Sequence, residues 1–95
     1  MSIDHSFRAL NRYTCREVVD ILRRGGSQSV AQIHSQIKIG TRANVSQALA
    51  LLLKAAMVSC HHRGRQNLYQ LRPAPLRELI TYLKGVLRHA QPAAK

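Results

Sequence analysis

Acidic and aromatic residues are both scarce in this sequence of 95 residues. Four Asp and Glu residues oppose fifteen Lys and Arg residues, which gives a formal net charge of +11 at pH 7. The self-repulsion of so much like charge destabilises a small folded chain unless a polyanion offsets it, so we expect a nucleic acid as the partner. Aromatic residues make up only 4% of the chain, so its core must be aliphatic, which favours helices over a β-sandwich.

Cysteines are few, and long apolar runs are missing. Cys15 and Cys60 lie far apart without a Cys-x-x-Cys spacing, and the N-terminus lacks the apolar run of a signal peptide. The longest apolar run, residues 48–53, is far shorter than the roughly 18 to 20 residues of a membrane span. We therefore expect a cytoplasmic protein without a membrane partner. Buried structural cysteines and a redox pair both remain open.

The first half of the chain has helical periodicity. Apolar residues recur at helical spacing over residues 7–24, although residues 11–14 look like a break, so we predict one long helix or a pair. Ser29 is a candidate cap for a short amphipathic helix over residues 30–37, and Thr41 for a longer one. A glycine-containing turn joins them, which predicts a helix-turn-helix over residues 29–56. The buried stripe of the longer helix is predicted to be Val45, Leu49, Leu52 and Ala56.

In the second half, the period changes from helix to strand and back. Residues 58–72 contain two strand-like runs around a tight turn at Gly64, which predicts a basic β-hairpin. Pro73 and Pro75 then end the strand and open a last helix over residues 75–90. We therefore predict a single domain over residues 1–95, mainly α with a small β-hairpin (α+β), arranged as a winged helix-turn-helix.

The second helix of a helix-turn-helix presents its N-terminal side chains to the major groove of DNA. Arg42 has the geometry to bond guanine, and Asn44 and Gln47 the geometry to bond adenine, although both amides are also ordinary solvated helix residues. A basic hairpin turn suits the phosphate backbone or the minor groove, with a merely solvated turn as the alternative. We predict contacts to double-stranded DNA from Thr41, Arg42, Asn44, Ser46 and Gln47 in the helix and from Arg63, Arg65 and Gln66 in the wing.

The last helix has a wider apolar stripe than so small a domain needs for its own core. We therefore expect a homodimer that buries this stripe together with the first helix, which would match a palindromic DNA site. The alternative is that the stripe packs only within its own protomer. The predicted interface residues are Leu79, Ile80, Leu83, Val86 and Leu87.

Two segments resemble the arsenic-repressor-type (ArsR) family of winged-helix regulators. Residues 45–58, V-S-Q-A-L-A-L-L-L-K-A-A-M-V, are similar to the family pattern V-S-x-x-L-x-x-L-x-x-A-G-L-V, with Ala56 in place of the usual Gly and Leu53 in place of a polar residue. Residues 63–71, R-G-R-Q-N-L-Y-Q-L, resemble the family wing. The likeness covers about residues 7–87 and implies dimeric operator binding and, usually, repression of transcription.

Many members of that family sense metals through a Cys-x-Cys pair on the first helix of the helix-turn-helix, or through Asp and His on the last helix. Here the first of these helices has no cysteine and the last has only Glu78 and His89. Cys60, His61 and His62 are chemically able to bind zinc, but neighbouring strand residues point to opposite faces. We therefore expect no metal and no cofactor, and no small-molecule effector is evident from the sequence.

No nucleophile, base and orienting group form a catalytic set in this sequence, so we expect no enzymatic activity. The prediction is a sequence-specific bacterial DNA-binding regulator, most simply a repressor. Two alternatives stay open, a nonspecific nucleoid-type protein that binds nucleic acid and a winged-helix module that binds another protein.

Overall fold

The computed structural model describes residues 3–38 and 40–90, and these residues form five helices and one two-stranded hairpin. This order confirms the mainly helical winged helix-turn-helix that was predicted. Within the described ranges, none of the helices has the length and apolar character needed to cross a membrane. The elements are α1 (Ile3–Leu10), α2 (Tyr13–Gly25), α3 (Val30–His34), α4 (Arg42–Lys54), β1 (Val58–Arg63), β2 (Gln66–Leu71) and α5 (Pro73–Ala90).

Three helix boundaries differ from the predicted ones. The N-terminal segment is a helix pair, and α1 begins at Ile3 rather than at residue 7, because Ile3 packs on the core and Asp4 suits the first turn of a helix. The short helix α3 ends at His34, and the backbone amides of Gln36 and Ile37 bond to carbonyls three residues back instead of four. Helix α5 begins already at Pro73, where proline lacks only an amide hydrogen that would be unpaired anyway.

Both predicted helix caps are present, and each is a reciprocal capping box. The Ser29 hydroxyl accepts a hydrogen bond from the Gln32 backbone amide at 3.2 Å, while the Gln32 side-chain oxygen accepts one from the Ser29 backbone amide at 2.8 Å. Thr41 and Asn44 make the same pair of bonds at the start of α4, at 3.2 and 2.8 Å. Local chemistry at these caps therefore defines where both helices of the helix-turn-helix begin.

Helix α4 lies at the centre of the aliphatic core. Its buried residues Val45, Ala48, Leu49 and Leu52 pack among α1, α2, α3 and β1. Burial of each larger side chain contributes about 1.5–3 kcal/mol to folding. The opposite face of α4 is left exposed to solvent.

The C-terminal end of α4 is a Schellman motif that passes the chain into the hairpin. The Met57 amide donates to the Leu52 carbonyl and the Ala56 amide to the Leu53 carbonyl, both at 2.9 Å. Ala56 has a φ of 58°, so it lies outside the helix, in the left-handed region. The prediction that Ala56 belongs to the buried stripe of α4 is therefore wrong. Glycine is the residue that adopts this conformation without a steric penalty.

The hairpin closes through a two-residue turn. Arg63 pairs with Gln66 across the antiparallel strands, and Gly64 between them has a φ of 63°, as the first central residue of a type II′ turn requires. Gln28, in the link between α2 and α3, forms an isolated antiparallel bridge with Tyr69 of β2. This bridge joins the wing to the helices.

Replacing Ala56 by glycine should stabilise the protein. Removal of the left-handed strain, less the greater freedom of glycine in the unfolded chain, should raise the free energy of unfolding by about 0.5–1 kcal/mol. Urea denaturation of A56G measures the change. The matched control is Ala50→Gly, in the exposed interior of α4, which should instead destabilise by about 1 kcal/mol. Equal destabilisation by both substitutions would contradict this account of Ala56.

Candidate nucleic-acid interface

The exposed face of α4 carries three of the predicted DNA-contacting side chains. Arg42, Ser46 and Gln47 are all exposed, and none of them makes a side-chain hydrogen bond to the described part of the chain. Arg42 and Ser46 are one turn apart and so share a face of the helix, with Gln47 beside them. Their donors and acceptors are therefore free to meet the edges of bases or phosphate groups.

Thr41 and Asn44, two further residues predicted to contact DNA, bond to each other at the helix cap. The Asn44 side-chain oxygen accepts from the Thr41 amide at 2.8 Å and from the Thr41 hydroxyl at 3.1 Å. Bidentate bonding of adenine needs both that oxygen and the side-chain NH₂ of an asparagine. Asn44 would have to release the cap before it could bind a base in this way, so Thr41 and Asn44 hold the start of α4.

A shallow cleft of about 230 Å³ lies between the start of α4, the start of α3 and the wing. Arg42 from α4 and Arg65 and Gln66 from the wing all line it, so the structure brings together predicted residues from both elements. Arg63 lies opposite Gln66 in the hairpin and is exposed, but it does not line the cleft. The remaining lining residues, none of which was predicted from the sequence as a DNA contact, are Ser29, Val30, Ala31 and Asn67.

The charge around this cleft has one sign. Residues 21–77, which include the helix-turn-helix and the wing, contain nine Lys and Arg residues and no Asp or Glu. All four acidic residues lie on α1, α2 or α5. A long segment without carboxylates presents a positive field that attracts a polyanion and repels basic partners.

The two cysteines occupy contrasting environments. Cys15 is buried on α2, where its thiol donates to the Ala48 carbonyl at 3.7 Å. Burial raises the pKa of Cys15, against the opposing charges of Arg12 and Arg16, so this thiol stays protonated and unreactive at neutral pH. Cys60 is exposed on β1.

Tyr69 lies directly opposite Cys60 in the hairpin. Burial raises the pKa of Tyr69, and a hydrogen bond with the Cys60 side chain acts in the same direction.

Among residues 3–38 and 40–90, no three His, Cys, Asp or Glu side chains come close enough to share a metal ion.

A separate apolar surface runs along α5. Leu79, one of the five residues predicted at a dimer interface, is only 5% exposed and belongs to the core of its own chain. Phe7 of α1 contacts Tyr82 of α5 edge to face, with ring centroids 5.8 Å apart, and both rings are partly exposed. The other four predicted residues, Ile80, Leu83, Val86 and Leu87, are each about half exposed.

The helix cap formed by Thr41 should contribute measurably to the free energy of unfolding. Thr41→Ala removes the hydroxyl that accepts a hydrogen bond from the Asn44 backbone amide, and it should lower the free energy of unfolding by about 1 kcal/mol. Ser46→Ala removes an exposed hydroxyl from the same helix without breaking such a bond and should not lower it. Urea denaturation compares the two variants. If Thr41→Ala were as stable as the unmodified protein, the capping role of Thr41 would be wrong.

No protein-family model and no curated protein matches this sequence, but solved structures do match the fold. An ArsR-like transcriptional regulator from Rhodococcus sp. RHA1 superposes with a TM-score of 0.80 at 22% identity, covering 92% of this chain and 80% of that one. A possible transcriptional regulator for arsenical resistance gives a TM-score of 0.73 at 26% identity, over 83% and 80% of the two chains.

A third match is a homodimeric winged helix-turn-helix DNA-binding domain from Mycobacterium bovis. Its TM-score is 0.69 at 16% identity, and the alignment covers 98% of this chain and 84% of that one. The three alignments cover between 83% and 98% of the present chain. The chain thus has the winged helix-turn-helix fold of the ArsR-type regulators, and the family resemblance predicted from its sequence is confirmed.

Proposed function

We propose that this protein is a sequence-specific DNA-binding transcriptional regulator that acts as a homodimer and represses the promoter it occupies. The observation that carries the proposal is the cleft where Arg42 of α4 meets Arg65 and Gln66 of the wing, within a segment that has no carboxylate. The fold shared with ArsR-type regulators supports a binding function rather than a catalytic one.

In the proposed complex, α4 enters the major groove and the wing follows the DNA backbone. The arginines release counterions from the phosphates, which gives affinity for any duplex, and base-edge contacts add the preference for one sequence. Arg42 and Gln47 are the side chains on the exposed face with the donors and acceptors that distinguish guanine or adenine. Thr41 and Asn44 hold the helix N-terminus in place.

The exposed apolar side chains of α5 support the homodimer. Solvent-facing leucines and valines at helical spacing are unfavourable unless another surface covers them, and a second copy supplies a matching one. The Mycobacterium bovis domain of the same fold is itself homodimeric. A two-fold axis would place two recognition helices about 34 Å apart, one turn of DNA, and so match a palindromic operator. A dimer bound there would hinder RNA polymerase.

The test begins with a duplex library of random sequence, from which the protein selects its preferred site. Fluorescence anisotropy then compares the enriched duplex with a scrambled version of it at several salt concentrations. We expect a preference of roughly a thousandfold or more for the enriched duplex. Equal, steeply salt-dependent binding to both would favour a nonspecific nucleoid-type protein, and a lack of binding to either would favour a protein-interaction module.

Two substitutions separate backbone contact from base reading in the same titration. Arg65→Ala should weaken binding to both duplexes alike and lower the slope of log K against log salt by about 1. Gln47→Ala should instead reduce the preference at one base position, at a cost of about 1–3 kcal/mol on the enriched duplex only. Arg88→Ala is the charge-matched control, since α5 does not pack against α3, α4 or the wing. Equal losses on both duplexes for all three variants would contradict this division of roles.

A charged residue placed in the apolar surface of α5 tests the proposed dimer. Leu87 is 60% exposed, so Leu87→Glu should leave the fold intact but convert the dimer to a monomer, because a buried unpaired carboxylate opposes association. Light scattering after size-exclusion chromatography measures the mass in solution. Leu53→Glu, at another exposed leucine on α4, is the control and should remain dimeric. A dimer that survives Leu87→Glu would place the interface elsewhere.

A further inference from the structure

Gln28 joins the wing to the helices through its backbone. Its amide donates to the Tyr69 carbonyl at 3.0 Å, and the Tyr69 amide donates back to the Gln28 carbonyl at 2.8 Å. The neighbouring Ser27 hydroxyl donates to the Gln70 side-chain oxygen at 2.7 Å. The link between α2 and α3 thus adds a one-residue third strand to the edge of β2.

The side chain of Gln28 is buried, with only 6% of the residue exposed, and it bonds in two further directions. Its NH₂ group donates to the carbonyls of Ile21 and Gly26, at 3.2 and 3.3 Å, at the C-terminal end of α2. Its oxygen accepts a bond from the Gln36 side chain at 2.6 Å. Gln36 lies in the turn of the helix-turn-helix and also donates to the Gln32 carbonyl at 2.9 Å. One residue therefore connects α2, the helix-turn-helix turn and the wing.

Gly25 leaves room for this amide. A Cβ atom at position 25 would lie 2.5 Å from the Gln28 side-chain nitrogen, closer than real Cβ contacts allow. The backbone of Gly25 does not have the positive φ that favours glycine, in contrast to Gly26. The absence of a side chain at position 25 thus serves the Gln28 amide rather than the local backbone.

We propose that Gln28 is a positioning residue that fixes the wing against the helix-turn-helix, so that Arg65 and Arg42 reach the same DNA in one fixed arrangement. The inference rests on the proposed DNA binding. Apolar side chains such as Val58 and Leu68 hold the hairpin against the core, but hydrophobic contacts do not favour one orientation of the hairpin. A buried amide network with its hydrogen bonds satisfied fixes both the distance and the angle between the elements it joins. Specific binding needs that alignment, while nonspecific binding tolerates its loss.

The test is a double-substitution cycle on the duplex that the unmodified protein selects from a random library, with its scrambled version alongside. Gln28→Leu should lower affinity for the selected duplex roughly fivefold, and no more than Arg65→Ala does, while binding to the scrambled duplex changes little. In an Arg65→Ala background, Gln28→Leu should have no further effect, because the contact it positions is already gone.

A separate control variant distinguishes a loss of stability from a loss of positioning. Val18→Ala, in the core of α2, should destabilise the fold without changing the preference between duplexes. If Gln28→Leu fails to fold, Gln36→Ala replaces it, because it removes the bond from the exposed Gln36 to the Gln28 oxygen, together with the bond to the Gln32 carbonyl, and leaves Gln28 itself in place. Equal losses from Gln28→Leu with and without Arg65 would overturn the proposal, as would the same loss of preference in Val18→Ala.

A measurement without DNA keeps this inference distinct from the proposed function. Residual dipolar couplings of the free protein should fit one alignment tensor for helices and hairpin together, whereas in Gln28→Leu the hairpin should depart from it. If the unmodified protein selects no duplex, the proposed function fails, and the couplings alone decide the role of Gln28. A hairpin that keeps its orientation in Gln28→Leu would refute that role.

Discussion

The burial of one face of α4 is the constraint on which the rest of the structure depends. Val45, Leu49 and Leu52 must face the core, and α1, α2, α3 and β1 all pack against that helix. The rotation of α4 about its own axis is thereby set, and with it the direction in which the opposite face points. The same helix is therefore the centre of the core and the surface offered to a partner, so neither role can shift without the other.

Much of this arrangement follows from local chemistry that the sequence displays. Ser29 and Thr41 are good caps wherever a helix begins, and Gly64 suits a tight hairpin turn, so helix starts and the wing were predictable. The absence of acidic residues between positions 21 and 77 is also plain in the sequence and indicates a basic surface. These features need only near neighbours, or none, to take effect.

Other features depend on contacts that the sequence does not reveal. The side-chain amide of Asn44 fits a capping box as well as a base edge, and only the structure shows that it bonds to Thr41. Leu79 shares its apolar stripe with Leu83 and Leu87, and only the position of α1 and the core determines that Leu79 alone is covered. Gln28 looks like an ordinary loop residue, because its burial comes from pairing with Tyr69, far along the chain.

Helix α5 is unusual in how little of it rests on its own chain. Pro75 and Leu79 are its buried residues, both in its first half, and α1 is the element it packs against among those described. Isolated helices shorter than about 12–15 residues are marginal in water, so the second half of α5 gains little from helix propensity alone. Whatever covers its apolar side chains therefore also keeps it helical, and in the proposed homodimer the length of ordered helix would become a function of protein concentration.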